Sequence, residues 1–406
     1  MSSGLNVLIY NGSGVSAASR DNTLIALRAF LGHRYDVQLV SPKTLRQEPW
    51  TDSCALLVFP GGRDLPYQFD LQGPANARIR RWVEDGGRYV GFCAGAYYAS
   101  ATVEFEVGTP LEVVGERELG FFPGACRGTA FPGFEYGTSA GARECRLTLD
   151  RTAWRDHWSA SPEEAVVWYN GGGAFVLDEG KAAKGVTVLA RYEELPGQPA
   201  AGVRCDVGKG RAVLWAVHPE HPAVPDAPSS IDAVEAPSVF DFATKETRRL
   251  GLLRATLAML ELDVADTPAP PPQLLPLFLT AAEPAAVTAV ATALAALGTQ
   301  SAAEPGAVDV AERHDHFQLH PAAAAARLLA QARARPGTAE PEELHKAVKC
   351  ICACTEGPPS LALAPLFNVE RYFAELTRAA ESPEPRFGRV LLYGEAVTST
   401  QTMLDQ

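Results

Sequence analysis

The chain has 406 residues, of which 47% are hydrophobic and 21% charged, with a formal net charge of −12; that length exceeds one compact core and predicts roughly two or three domains. An acidic chain gives phosphate backbones little to hold, so nucleic acid is not an expected partner, and no run of about 18 uncharged apolar residues or basic leader segment suggests a membrane or export. Eight cysteines over this length lack the density of a disulfide-stapled scaffold, so the expected compartment is the reducing cytoplasm.

In chain order, residues 5–10 read as a first strand and Asn11-Gly12-Ser13-Gly14 as a turn. Residues 23–31 set Leu24, Leu27 and Leu31 at helical spacing before a second strand at 37–40, which makes a βαβ unit. A third strand at 55–59 ends in Pro60-Gly61-Gly62. A helix over 79–84 closes at Gly86-Gly87, and a strand follows at 88–92. Between about 108 and 215 glycine and proline become frequent, and short strands at 165–169, 174–177 and 186–191 predict hairpins decorating a parallel sheet. An apolar strand at 211–217 and a covering helix over 247–262, with Leu250, Leu253, Leu257 and Leu260 on one face, complete the pattern. The predicted class is α/β, a doubly wound, mainly parallel sheet over residues 4–262.

Thr267-Pro268-Ala269-Pro270-Pro271-Pro272 lacks backbone donors and favours extended geometry, so residues 263–275 are expected to be a linker. The Ala-rich stretch from 281 to 340 predicts one or two helices within a small, partly helical region at 276–385. A short helical element at 366–379 and a last strand at 389–393 follow.

Gly91-Phe92-Cys93-Ala94-Gly95 follows an apolar strand and precedes the helix-compatible stretch 96–101. Small residues around Cys93 permit the strained turn of a nucleophile elbow, where the next amide and the helix start favour a thiolate and a developing oxyanion. A cysteine nucleophile needs a base, and the base needs an orienting carboxylate. His218-Pro219-Glu220 comes directly off the strand at 211–217, at the strand end where open α/β sheets place their sites.

GFCAG followed by HPE resembles the class I glutamine amidotransferases. The resemblance implies a flavodoxin-like fold, with Cys93 attacking a carboxamide to give a thioester and His218 and Glu220 handling the proton. It also implies an oxyanion hole from the PGG turn and the elbow, Gly62 and Ala94 here, in a pocket shared with Gly61, Asn170 and Gly171. Those enzymes commonly carry glutamine two residues past the second elbow glycine, where this chain has Tyr97, which leaves the identity of the carboxamide open. A narrower resemblance rests on Tyr10-Asn11-Gly12, PGGRDLPY at 60–67, CAGAYYAS at 93–100, Tyr169-Asn170-Gly171-Gly172-Gly173 and GKGRAVLWAVHPE at 208–220. Together these resemble the N-terminal region of fungal-type biotin protein ligases. LLYGEAVTSTQ at 391–401 resembles the opening of the ligase catalytic domain, where Ser399, Thr400 and Gln401 would border a biotin pocket. Residues 386–406 are therefore expected to be a truncated start of that domain, and biotin ligation by this chain alone is not expected. The partners implied are a small carboxamide, and a ligase core or biotin carboxyl carrier protein. The alternative is a regulatory or scaffold module that uses the pocket for binding only.

Other signals are weaker. Gly12-Ser13-Gly14-Val15-Ser16-Ala17 fits a dinucleotide fingerprint, but the second strand ends without a ribose-binding acid. Cys350, Cys352 and Cys354 suit a strand face and could chelate zinc only with a fourth ligand such as His345. His314-Asp315-His316 reads as a solvated loop. Cys54, Cys126, Cys145 and Cys205 are expected to be packing residues, and no metal or cofactor is expected.

Overall fold

The computed structural model describes residues 4–177, 184–223, 241–269, 274–311, 315–334, 347–379 and 388–397. Two compact units divide the chain, Met1–Ala269 and Pro270–Gln406. In the first, β1 (Asn6–Tyr10) is followed by α1 (Ala17–Leu31), β2 (Asp36–Val40), α2 (Pro42–Gln47), β3 (Cys54–Phe59), α3 (Asp64–Leu71), α4 (Pro74–Glu84) and β4 (Arg88–Phe92). Next come α5 (Ala94–Tyr98), β5 (Ser100–Phe105), β6 (Val113–Glu116), β7 (Phe122–Gly128), β8 (Arg143–Leu149), α6 (Arg151–Trp154) and β9 (Glu164–Tyr169). β10 (Ala174–Val176), β11 (Val186–Tyr192), β12 (Ala200–Val207), β13 (Gly210–Trp215) and α7 (Phe242–Met259) finish the unit.

The strands β2-β1-β3-β4-β13 lie side by side and all parallel. Their side chains alternate between two cores, as the period of two in a strand requires. Val7, Ile9, Leu56 and Val58 pack with Leu27, Phe30, Leu253 and Leu257 of α1 and α7. Leu8, Tyr10, Leu57 and Phe59 pack on the other face with Leu71, Ile79 and Val83 of α3 and α4. Helices therefore cover both faces, as expected for a doubly wound sheet. Beyond β13 the sheet continues through antiparallel β12 into β10-β7-β5-β6, and β11, β8 and β9 branch from β12. These are the hairpins expected from the Gly- and Pro-rich middle, built into the sheet.

The stretch after the elbow differs from its helical expectation. α5 stops at Tyr98, and Ser100–Phe105 forms β5, a parallel partner of β7. The physical reason lies in the alternation from Ala101 to Phe105, with Val103 and Phe105 buried and β-branched Thr102 and Val103 at adjacent positions. The chain keeps packing on the first unit past the covering helix, since the Ala265 and Ala269 amides donate to the carbonyls of Phe30 and Ala29.

In the second unit, β14 (Leu277–Ala281), α8 (Pro284–Ala296), β15 (Thr299–Gln300), β16 (Val308–Ala311), β17 (His316–Pro321), α9 (Ala325–Ala334), β18 (Lys349–Ala353), α10 (Val369–Ala379) and β19 (Val390–Tyr393) follow in order. The Ala-rich stretch does hold helices, but the unit is organised by a sheet ordered β15-β16-β17-β18-β14-β19. β19 lies where the last strand was expected, at 389–393, whereas β14 to β17 lie where no strand was expected.

Candidate active site

Cys93 stands between β4 and α5 with φ 46° and ψ −102°, a conformation that costs a non-glycine residue energy and persists where the surroundings impose it. Its neighbours show why they are small. A Cβ on Gly91 would lie 2.4 Å from the Gly95 carbonyl oxygen, and one on Gly95 would lie 2.1 Å from that of Phe59. The Cys93 amide donates to the Trp215 carbonyl at 2.7 Å, which ties the elbow to the end of the neighbouring parallel strand β13. Three residues on, the His218 amide donates to the Trp168 carbonyl at 2.9 Å. Adjacent strands thus deliver the thiol and the imidazole to one end of the sheet.

His218 Nδ1 lies 2.7 Å from Glu220 Oε1, and both side chains are buried. Burial opposes charge on the ring, yet the Glu220 carboxylate and Cys93, acting both as charge and as hydrogen-bond partner, lift His218 well above the usual imidazole value. Burial would likewise raise Glu220, but the His218 and His221 charges and a hydroxyl bond from Ser19 hold it below the usual carboxylate range. Ser19, on α1, donates from Oγ to Glu220 Oε1 at 2.8 Å and accepts the Gly61 amide at 2.7 Å. Gly61 has no room for a side chain, because a Cβ there would lie 2.5 Å from His218 Cε1.

The Gly61 amide is thus spent on Ser19, and the Ala94 amide, in the first turn of α5, has no intrahelical partner. The opposite wall is the loop from Asn170 to Gly173. The Cys93 thiol donates to the Asn170 carbonyl at 3.5 Å. Three tyrosine hydroxyls hold the glycines: Tyr97 donates to the Gly171 carbonyl at 3.2 Å, Tyr169 to that of Gly172 at 2.9 Å and Tyr192 to that of Gly173 at 2.7 Å. Gly171 has φ +73°, and a Cβ there would meet the Phe134 ring at 2.6 Å. Asn170 Oδ1 and Glu220 Oε2 are buried without a hydrogen-bond partner among the described residues.

The structure brings Cys93, His218, Glu220, Gly61, Ala94, Tyr97, Asn170 and Gly171 to the same sheet end. Tyr97 is committed to the loop through its hydroxyl. Sequence reasoning missed Ser19, which reads as an ordinary helix residue three after the N-cap Ser16. It also missed His221, whose ring packs edge-on against His218 at 5.0 Å; its signal was adjacency, in the run His218-Pro219-Glu220-His221. Burial, with the His218 and Arg249 charges, pushes His221 down to about 4 against the pull of Glu220. Among the described residues, His218, Glu220 and His221 are the group whose donor atoms lie close enough, within 4.8 Å, to share a metal.

Elsewhere, the turn at Gly12 is filled by protein. Asp70 accepts from the Tyr10 hydroxyl and the Ser13 amide, and a Cβ on Gly14 would meet Pro66 at 2.7 Å. Cys352 and Cys354 pack into a small core with Phe278 and Leu328, with Cys350 against it. Asp315 corrects the expectation of a solvated loop, being buried and paired with Lys349. His314, His345, Ser399, Thr400 and Gln401 lie outside the described residues. No helix among the described residues is long and apolar enough to cross a membrane.

The parallel order β2-β1-β3-β4-β13, covered on both faces, gives the first unit a doubly wound α/β fold with flavodoxin-like strand order. The model of the family described as biotin-protein ligase, N terminal, matches residues 5–281, and the chain belongs to that family. A biotin–protein ligase of Schizosaccharomyces pombe is 38% identical over 262 residues, covering 64% of this chain and 38% of the ligase. An uncharacterized protein of Chlamydia muridarum is 35% identical over 218 residues, covering 53% of this chain and 80% of that protein. Two solved glutamine amidotransferases, one of them from Methylobacillus flagellatus, each align with 64% of this chain at a TM-score of 0.38. They share 18% and 16% identity and are covered over 100% and 96% of their own lengths.

Proposed function

We propose that the first unit is a cysteine-nucleophile amidase or amidotransferase for a small carboxamide. The observation that supports this reading best is the buried His218–Glu220 bond of 2.7 Å beside a thiol on a strained elbow. Cys93 Sγ adds to the carboxamide carbon, and the oxyanion meets the Gly62 and Ala94 amides. His218 takes the thiol proton and passes it to the leaving nitrogen, so the C–N bond breaks, ammonia departs and a thioester remains. His218 then draws a proton from water, which attacks the thioester; the product is a carboxylate and the thiol is restored. Glu220 holds the ring with Nε2 available and balances its charge. Ammonia release from a panel of small carboxamides, with Cys93→Ala as control, tests this. Release that persists in the variant would refute it.

A second reading is favoured by the 38% identity to a region of the S. pombe ligase: a regulatory module that contacts a ligase core or a biotin carboxyl carrier protein. Binding to such a partner that is unchanged in Cys93→Ala, with no ammonia release from any carboxamide, would select it.

A further inference from the structure

We infer that Ser19 is a positioning residue whose hydroxyl joins Glu220 of the His218–Glu220 relay to the Pro60–Gly61 peptide at the start of the turn that carries Gly62. The inference rests on the amidase reading above and adds a fourth side chain to its site.

A hydroxyl has one proton and two lone pairs, whereas an ionised carboxylate only accepts. Ser19 Oγ receives the Gly61 amide at 2.7 Å, so its own proton is free to go to Glu220 Oε1 at 2.8 Å, and the direction of both bonds is fixed. Ser19 and Glu220 are buried, so water does not compete for either bond. Glu220 Oε1 therefore receives two donors, Ser19 and His218 Nδ1, while Oε2 has no hydrogen-bond partner among the described residues. Ser19 supplies one of the two bonds that hold the carboxylate toward Nδ1. The consequence for His218 is a fixed ring orientation, with Nδ1 committed to Glu220 and Nε2 left for the Cys93 side chain to which the ring is hydrogen-bonded.

The second bond reaches the other half of the chemistry. By holding the Gly61 amide, Ser19 sets the plane of the Pro60–Gly61 peptide, from which the chain runs directly into the Gly61–Gly62 peptide whose amide is the oxyanion donor of the proposed chemistry. The turn is held from its far side as well, since the Ser16 amide donates to the Gly61 carbonyl and the Arg63 amide to that of Gly14, both at 2.9 Å. Ser16 and Ser19 lie at the start of α1, so the helix serves as the frame against which turn and acid are both registered.

The test uses the full chain and iodoacetamide, with Cys93 labelling followed by peptide mapping from pH 5 to 9. Ser19→Ala is expected to lower the Cys93 rate about tenfold, as loss of a charge-assisted bond would, and to shift the pH at half-maximal rate. Ser19→Thr, which keeps the hydroxyl, is expected to return both toward wild type. If Ser19→Ala does not fold, Ser19→Cys replaces it, with the same expectations for a weaker donor. A wild-type rate and profile in the variant that lacks the hydroxyl, with Cys93 reactive, would overturn the positioning role alone. Equal impairment in Ser19→Thr would overturn it too, by showing that shape rather than the hydroxyl matters. A wild-type Cys93 no faster than Cys54 or Cys205 would overturn the amidase reading and this inference with it.

Discussion

The thiol of Cys93 donates to the carbonyl of Asn170 at 3.5 Å, joining the elbow to a glycine loop 77 residues downstream. Other cysteines lie in packing positions: burial pushes Cys54, Cys126, Cys145 and Cys205 well above the ordinary thiol value, Cys352 up to about 12 and Cys354 up to about 11. Brief iodoacetamide exposure near neutral pH should therefore label Cys93 ahead of these six, and His218→Ala should remove that lead. Peptide mapping reads the order directly; Cys54 or Cys205 labelled first, with Cys93 untouched, would end the nucleophile assignment.

The proposed chemistry gives thiol and acid unequal roles, so their variants should differ. Cys93→Ala is expected to abolish amidase turnover. Glu220→Gln keeps an oxygen for the Ser19 and His218 bonds but loses the charge that steadies an imidazolium, and is expected to lower kcat by roughly 10²–10⁴-fold. Steady-state ammonia assays compare them. Equal, complete loss in both would mean that Glu220 is needed for folding or for the thiol itself.

The two glycines of the turn should respond differently to one methyl group. A Cβ on Gly61 meets His218 Cε1 at 2.5 Å, so Gly61→Ala should displace the ring and slow Cys93 labelling while the fold survives. Gly62 has φ +148°, and a Cβ there would lie 2.1 Å from the Gly14 carbonyl oxygen, so Gly62→Ala should cost stability, about 2–3 kcal/mol. Urea unfolding beside the labelling rate separates the effects. Equal destabilisation by both would contradict the packing described.

What the sequence disclosed follows from how local each signal is. The elbow at Cys93, the strand leading to His218 and the first strand at 5–10 are written in neighbouring residues, and all were readable. Ser19 was not, because its two bonds reach 42 and 201 residues along the chain and a serine near a helix start has an ordinary explanation in capping. The order of the antiparallel strands was hidden for the same reason: Phe175 pairs with both Cys126 and Ala200, and nothing within a strand names its neighbour. Tyr97 stands at the position where glutamine is common and Tyr169 in the motif at 169–173, but nothing local told that their hydroxyls and that of Tyr192 would hold the glycine loop.

The last prediction concerns acid. His221 is largely buried beside His218 and Glu220, and it is held down to about 4, first by burial and then by the His218 and Arg249 charges. An unfolded histidine titrates near 6.5, so as pH falls the unfolded chain takes up this proton before the folded one does. The stability contributed by neutral His221 is therefore complete above about 6.5 and is lost progressively toward 4, with about 2 kcal/mol gone by pH 5. His218 and Glu220 act in other windows. His218, raised in the fold, contributes stability that is complete below about 6.5 and is lost as pH rises through its folded value. Glu220, lowered in the fold, contributes stability that is lost only as pH falls below about 4.5. Between about 6.5 and 4.5 the slope from this cluster thus belongs to His221. Urea unfolding at pH 7 and pH 5 should show wild type losing about 1–2 kcal/mol more than His221→Asn, which has no proton to gain. Other histidines, such as His157, cancel in that comparison. Equal losses in the two proteins would mean that His221 is protonated as easily in the fold as out of it, and that its place against His218 is not the one described.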